Sequence, residues 1–271
     1  MKKSIISSIM LSLSVLCMPL AAADKKPLGK EESARVIEAA IRQEIKKPTG
    51  ELTKADLTKL VSLKVHRSTI TNLDALEGLV NIKVLDLFGN SDLRDITALR
   101  GLKNLERLTL YYPYPGSKAL KDITAIQGLI KLKSLNLQRC TNVSDVSALK
   151  GLTNLKSLNL SHTNISDVSA LKNLKKVEEL DFGYTKVNDV TALKDLKNLK
   201  SLTMWSTKVK DVSAFKNLKN LEYLNISNDV LDKGHVLNVL KDINVRVMVP
   251  VRTDGRKAMF MYWKERKKEK K

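Results

Sequence analysis

Three histidines (His66, His162, His235), two cysteines (Cys17, Cys140) and a recurring aspartate (Asp95, Asp122, Asp145, Asp167, Asp189, Asp211) are the side chains that could ligate metal, attack an electrophile or hold calcium. Their spacing argues against each chemistry. The histidines lie far apart in the chain, with no metal-ligand spacing among them. If His66 and His162 share a face of parallel strands, four strand spacings still put their rings roughly 19 Å apart. Each aspartate stands alone among lysines, followed two places on by Ser or Thr, the short polar types that cap helical turns. No enzyme, cofactor or metal is expected from these residues.

What positions them is a repeat. Residues 132–152 read LKSLNLQRCTNVSDVSALKGL and residues 155–174 read LKSLNLSHTNISDVSALKNL. The triplet L-x-x-L-x-L starts at Leu60, Ile82, Leu105, Leu132, Leu155, Val177, Leu199 and Leu221, so the period is 22 or 23 residues apart from one step of 27. Within one unit, Leu155, Leu158 and Leu160 alternate inward from a short strand while Ser157, Asn159 and Ser161 face away. One unit cannot bury its own leucines; stacking units in parallel does. Where each strand ends, the chain carries Ser68, Asn90, Cys140, Thr163, Thr185, Thr207 or Asp229, a column of residues suited to satisfying buried backbone groups at a turn. Cys140 belongs to that column and is expected as a buried structural thiol.

This grammar, L-x-x-L-x-L-x-x-T-x-I-x-D-V-S-A-L-K-x-L-x-N, resembles the 22-residue unit of internalin-like bacterial leucine-rich repeat proteins across about residues 52–244. The resemblance implies an α/β solenoid: a curved leucine-rich repeat with parallel concave strands and 3₁₀ or irregular convex turns. It also implies protein binding on the concave side. The chain departs from the host-receptor internalins in having no immunoglobulin-like domain after the repeats, no wall-sorting tail and threonine where their column favours asparagine. Fold and binding habit carry over; no receptor does.

The ends complete the organisation. Lys2-Lys3, the apolar run Ile5–Leu20 and Ala21-Ala22-Ala23 read as a removable export signal over residues 1–23, too short to span a bilayer. Its loss takes two lysines from a net charge of +19 and leaves +17, with Cys140 as the remaining cysteine. Residues 24–59 form a helical N-terminal cap, with Ala34, Ile37, Ile41 and Ile45 on one face and a second short helix starting at Thr53. Residues 60–244 hold about eight repeats, and residues 245–271 a closing strand and a basic tail. Met259 to Trp263 reads as a short helix packed on the last repeat and followed by a solvated terminus; the alternative is an interfacial anchor, with Trp263 and the lysines meeting an anionic membrane or polymer. Export places the protein in the periplasm, on the cell surface or outside the cell, without a transmembrane helix. It argues against intracellular nucleic acid as the target, although the charge would attract anionic partners.

Aromatic residues are 4% of the chain, yet Phe88, Tyr111, Tyr112, Tyr184, Trp205 and Tyr223 all fall at positions flanking the inward strand leucines. Strands favour aromatics in any case, but leucine stacking does not ask for them here. With Arg107, Arg139 and His162 beside them they have the composition of an interface anchor. The long third repeat adds YYPYPGSKA, a turn-rich insertion that brings Tyr114 to the same edge. These ten residues are the candidate partner-binding set, for a protein or peptide ligand. A second reading assigns binding to the lysine side (Lys150, Lys172, Lys194, Lys216) and the tail, with an acidic envelope polymer or membrane as partner.

Overall fold

The computed structural model describes residues 26–226, 233–253 and 256–263. A three-residue strand forms at every leucine triplet: β1 Ser62–Lys64, β2 Val84–Asp86, β3 Arg107–Thr109, β4 Ser134–Asn136, β5 Ser157–Asn159, β6 Glu179–Asp181, β7 Ser201–Thr203 and β8 Tyr223–Asn225. They pair in parallel and in chain order, so that Leu63, Leu85, Leu108, Leu135, Leu158, Leu180, Leu202 and Leu224 stand side by side. All eight are buried, as are the second-row leucines and their substitutes Phe182 and Met204. Burying such a side chain contributes roughly 1.5–3 kcal/mol relative to leaving it exposed, so register is held by every repeat at once.

On the opposite side the chain returns through 3₁₀ turns, among them Ser147–Leu149, Ser169–Leu171 and Thr191–Leu193. The recurring aspartate starts six of them, and Asn72 starts the first, Asp74–Leu76. Oδ1 of Asp95, Asp122, Asp145, Asp167, Asp189 and Asp211 accepts from the backbone N–H two residues on, at 2.7–2.8 Å. Hydrogen bonds from that residue hold the carboxyls of Asp95, Asp122, Asp145, Asp167 and Asp211 below their ordinary range. The aspartate column is therefore a set of turn caps.

The strand-end column works as a second ladder. Thr163, Thr185 and Thr207 are buried, and each hydroxyl donates to the carbonyl three residues back, at 2.6–2.8 Å. Asn90 Nδ2 donates to Val65 and Leu87 carbonyls, and Cys140 Sγ to the Leu110 carbonyl at 3.3 Å. Burial pushes the Cys140 thiol far above its usual range. Ser68 is half-buried, and Asp229 lies outside the described residues. A third ladder is carried by the asparagine that closes the repeat: Asn104, Asn154, Asn198 and Asn220 each donate Nδ2 to a backbone carbonyl of the preceding repeat, at 2.7–2.9 Å.

Helix α1 (Lys30–Glu44) covers the N-terminal end with Ala34, Ile37 and Ile41 buried. Helix α2 (Lys54–Thr58) starts at a reciprocal cap, with Thr53 Oγ1 accepting from Asp56 N–H and Asp56 Oδ2 accepting from Thr53 N–H. At the other end a helix, α3 (Lys233–Val239), takes the place of a 3₁₀ turn. Strand β9 (Arg246–Thr253) then pairs parallel to β8, and β10 (Arg256–Trp263) returns antiparallel on β9. Met259–Trp263 is thus strand and not the helix expected from sequence. The Asp254-Gly255 pair between two runs of strand-forming residues is a hairpin signal that outweighs the short apolar run. Among the described residues no helix is long and apolar enough to cross a membrane. Residues 1–25 and the basic end 264–271 lie outside the described residues, so the signal and tail readings do too.

Candidate concave binding face

In six repeats the chain turns sharply after its strand at one residue with a positive φ. The positions are equivalent: Arg67 (φ 49), Gly89 (φ 78), Arg139 (φ 61), His162 (φ 56), Tyr184 (φ 57) and Ser206 (φ 55). For a residue with a Cβ this left-handed conformation costs about 1–2 kcal/mol. Glycine avoids the cost once, at Gly89, where an added Cβ would meet Arg67 Cγ at 2.7 Å. The kink breaks the period-two alternation. The left-handed residue and, at His66, Phe88, Gln138 and Trp205, the residue before it reach the surface at the edge of the concave sheet, whereas Ser161 and Gly183 are buried.

The side chains at this edge touch one another in two groups. His66 packs edge-on against Phe88 (centroids 5.8 Å) and Phe88 against Tyr111 (5.2 Å), with the Arg67 guanidinium 5.0 Å from the Phe88 ring. Further along, His162 stacks on Tyr184 at 4.2 Å with planes 8° apart, and Tyr184 meets Trp205 edge-on at 5.6 Å. At Gly183 the backbone of Trp205 passes within 3.2 Å of where a Cβ would stand, so a larger residue there would press on the Trp205 backbone. Between the groups, Arg139 lies 5.6 Å from the ring of Tyr114, which is 84% exposed on the insertion. Tyr223, at the first strand position, has Arg246 over its ring at 5.5 Å. Arg107 is exposed at the first position of β3. Partial burial, then the charge of Arg139, holds His162 below its ordinary pKa.

Nine of the ten candidate residues are therefore at least partly accessible on this face. Tyr112 is not. It is fully buried, because the strand of the third repeat runs on extended and the side chains of Leu108, Leu110 and Tyr112 alternate inward together. In the six repeats named above a left-handed residue occupies this position and makes the turn; in the third repeat the turn is deferred to Gly116 (φ 101) in the insertion. Tyr112 is a core residue and leaves the site. Its hydroxyl has no hydrogen-bond partner among the described protein atoms.

Four concave side chains serve the turn itself. Asp86, Asn136, Asn159 and Asp181 each accept, through Oδ1, the N–H two residues on at 2.9–3.1 Å, bracing the start of the turn. Asp86 also receives His66 Nε2 at 3.0 Å. Burial raises the carboxyl of Asp181 above its usual range. A cleft of about 220 Å³ lies on the opposite side, lined by Lys121, Asp122, Ser144 and Asp145 among others, and both its aspartates already cap their own turns. Among the described residues no group of three or more His, Cys, Asp or Glu is placed to hold a metal ion. The concave edge offers ring faces, guanidinium groups and amides.

A family model for leucine-rich repeats (two copies) matches residues 153–195. No curated protein sequence matches the chain. Among solved structures, internalin C2 from Listeria monocytogenes is similar at 29% identity and a TM-score of 0.71, over 78% of this chain and 92% of that one. An internalin (inlF) from the same organism shares the fold at 23% identity and a TM-score of 0.51, over 79% of this chain and 74% of that one. With the repeat period, the parallel three-residue strands and the 3₁₀ returns, these likenesses make the chain an internalin-like leucine-rich repeat protein.

Proposed function

We propose that this chain is an exported binding module that holds a protein or peptide on its concave edge and carries out no reaction of its own. Leucine-rich repeat proteins are interaction proteins as a class, and the fold is typically non-enzymatic. The observation that carries the site is the ring array of His162, Tyr184 and Trp205, continued by Arg139 with Tyr114 and by Phe88 with Tyr111. Two members, His162 and Tyr184, hold bulky side chains at left-handed positions that glycine would occupy at less cost. Aromatic and arginine side chains are the usual energetic centres of interfaces.

Capture on the immobilised mature chain (residues 24–271) from envelope extract and culture fluid supplies the ligand, and affinity measured on variants tests the site. Tyr111→Ala, Tyr184→Ala or Trp205→Ala should weaken binding by about 2 kcal/mol or more, roughly 30-fold. Neutralising Lys172, Lys194 and Lys216 together should change it little, and added salt should weaken it only modestly. These lysines are exposed, without an ion-pair partner among the described residues, so a polyanion could reach them. Aromatic variants that bind normally, with lysine variants that do not, would move the site to that side and to an acidic envelope polymer.

A further inference from the structure

The concave face is divided by charge. Across the first four repeats its cations are Lys64, Arg67, Arg107 and Arg139, and none has a carboxylate within ion-pair distance among the described residues. Arg67 and Arg139 lie over rings, which leaves their N–H donors available for an incoming acceptor. The one carboxylate at the strand and edge positions of these repeats, Asp86, is already engaged by the Phe88 N–H and by His66. Repeats five to seven reverse the sign: Glu179 and Asp181 are the charged residues of the β5–β7 surface, beside the rings of Tyr184 and Trp205. Where the two zones meet, the strand positions are neutral, with Ser134 and Asn136 on β4 and Ser157 and Asn159 on β5.

Resting on the concave binding reading above, we infer that the occupant is an extended segment of a partner protein lying along the solenoid axis. Its acidic end sits over repeats one to four, and its apolar, non-acidic end over Tyr184 and Trp205. Geometry sets its size. Three strand spacings from β1 to β4 cover about 14 Å, which four or five extended residues span, and the whole face to β7 takes about nine. The segment runs across the strands and not beside one, because every strand from β1 to β8 is already paired to its neighbours in the sheet or, at β1, covered by α1. Side chains, and not backbone ladders, must then provide recognition. Bidentate capture of Asp or Glu by arginine suits the first zone, and ring-on-apolar packing the second.

The test uses a phage-displayed library of 12-residue peptides, panned on the mature chain and measured as synthetic peptides. Three folded variants serve as references, their folding checked by circular dichroism: R107E/R139E, Y184A/W205A and K172Q/K194Q/K216Q. The expected result is enrichment of peptides with two or more acidic residues clustered toward one end. Their affinity should fall at least tenfold on R107E/R139E and on Y184A/W205A, and less than threefold on the lysine variant. A photo-crosslinker at the acidic end should label residues of repeats one to four. Enriched peptides that lack an acidic cluster, or that bind R107E/R139E normally while losing affinity for Y184A/W205A, overturn the charge-split occupant and leave the concave site standing. Enriched peptides indifferent to the aromatic variant, or no enrichment over a bare support, overturn both.

Discussion

Replacing Tyr112 by Phe should stabilise the protein. The side chain is fully buried, its hydroxyl has no partner among the described protein atoms, and burial pushes the phenol well above its ordinary pKa. A buried polar group without a partner costs roughly 1–3 kcal/mol, and phenylalanine keeps the ring while removing the hydroxyl. Part of the gain is offset by the small void left where the oxygen stood, so the expected net is about 1 kcal/mol. At this chain length that corresponds to a rise in melting temperature of about 2–4 °C. Tyr112→Ala should instead cost about 3–5 kcal/mol, as for other large buried rings. Urea unfolding followed by circular dichroism, on both variants and the parent, reads the difference. A lower urea midpoint for Tyr112→Phe would refute the reasoning, because it would mean the hydroxyl is hydrogen-bonded in solution. The neighbouring Tyr111→Phe, on the accessible side of the same strand extension, should leave the midpoint unchanged.

Cys140 should react with a thiol reagent slowly in the folded protein and quickly in urea, since it is fully buried and its thiolate is strongly disfavoured; rapid labelling of native protein would contradict the column assignment. Cys140→Thr should be tolerated, because the same place holds Thr163 and Thr185 elsewhere, whereas Cys140→Lys should fail to fold stably by burying an unpaired charge. Leu158→Ala should cost about 2–5 kcal/mol through a cavity, and Tyr184→Ala, 40% exposed, should stay below about 1.5 kcal/mol, both read from urea midpoints. Asp95, Asp122, Asp145, Asp167 and Asp211 titrate below their ordinary value of 3.8 when folded, so their stabilisation is complete above about pH 4 and disappears as pH falls through the folded values. Asp181, whose carboxyl is raised, works in the opposite sense. Asp145→Asn with Asp167→Asn should keep the turns, through the amide oxygen, and flatten the loss of stability measured between pH 4 and pH 2.

The repeat unit by itself determined the solenoid. A leucine every second and third place, recurring every 22 residues, can be buried only by stacking, so strand register, the inward set and the Asp-capped returns were all legible before any coordinates. The small polar column was legible for the same reason, and Cys140 with it. Side-chain direction at the turn was not. Tyr112 and Tyr184 are the same residue at the same repeat position, yet one is core and the other surface, because a backbone torsion decides which way each points. That torsion depends on where the insertion lets the third repeat turn, a property of the chain around Tyr112 and not of tyrosine. The stacking of His162 on Tyr184 likewise required two neighbouring left-handed turns to aim both rings along the same edge, and the bracing role of Asp86 and Asn159 required the turn geometry itself. Periodicity records which side chains are buried together. Contacts among the exposed ones are made between residues about 22 positions apart, and only stacking brings them within reach.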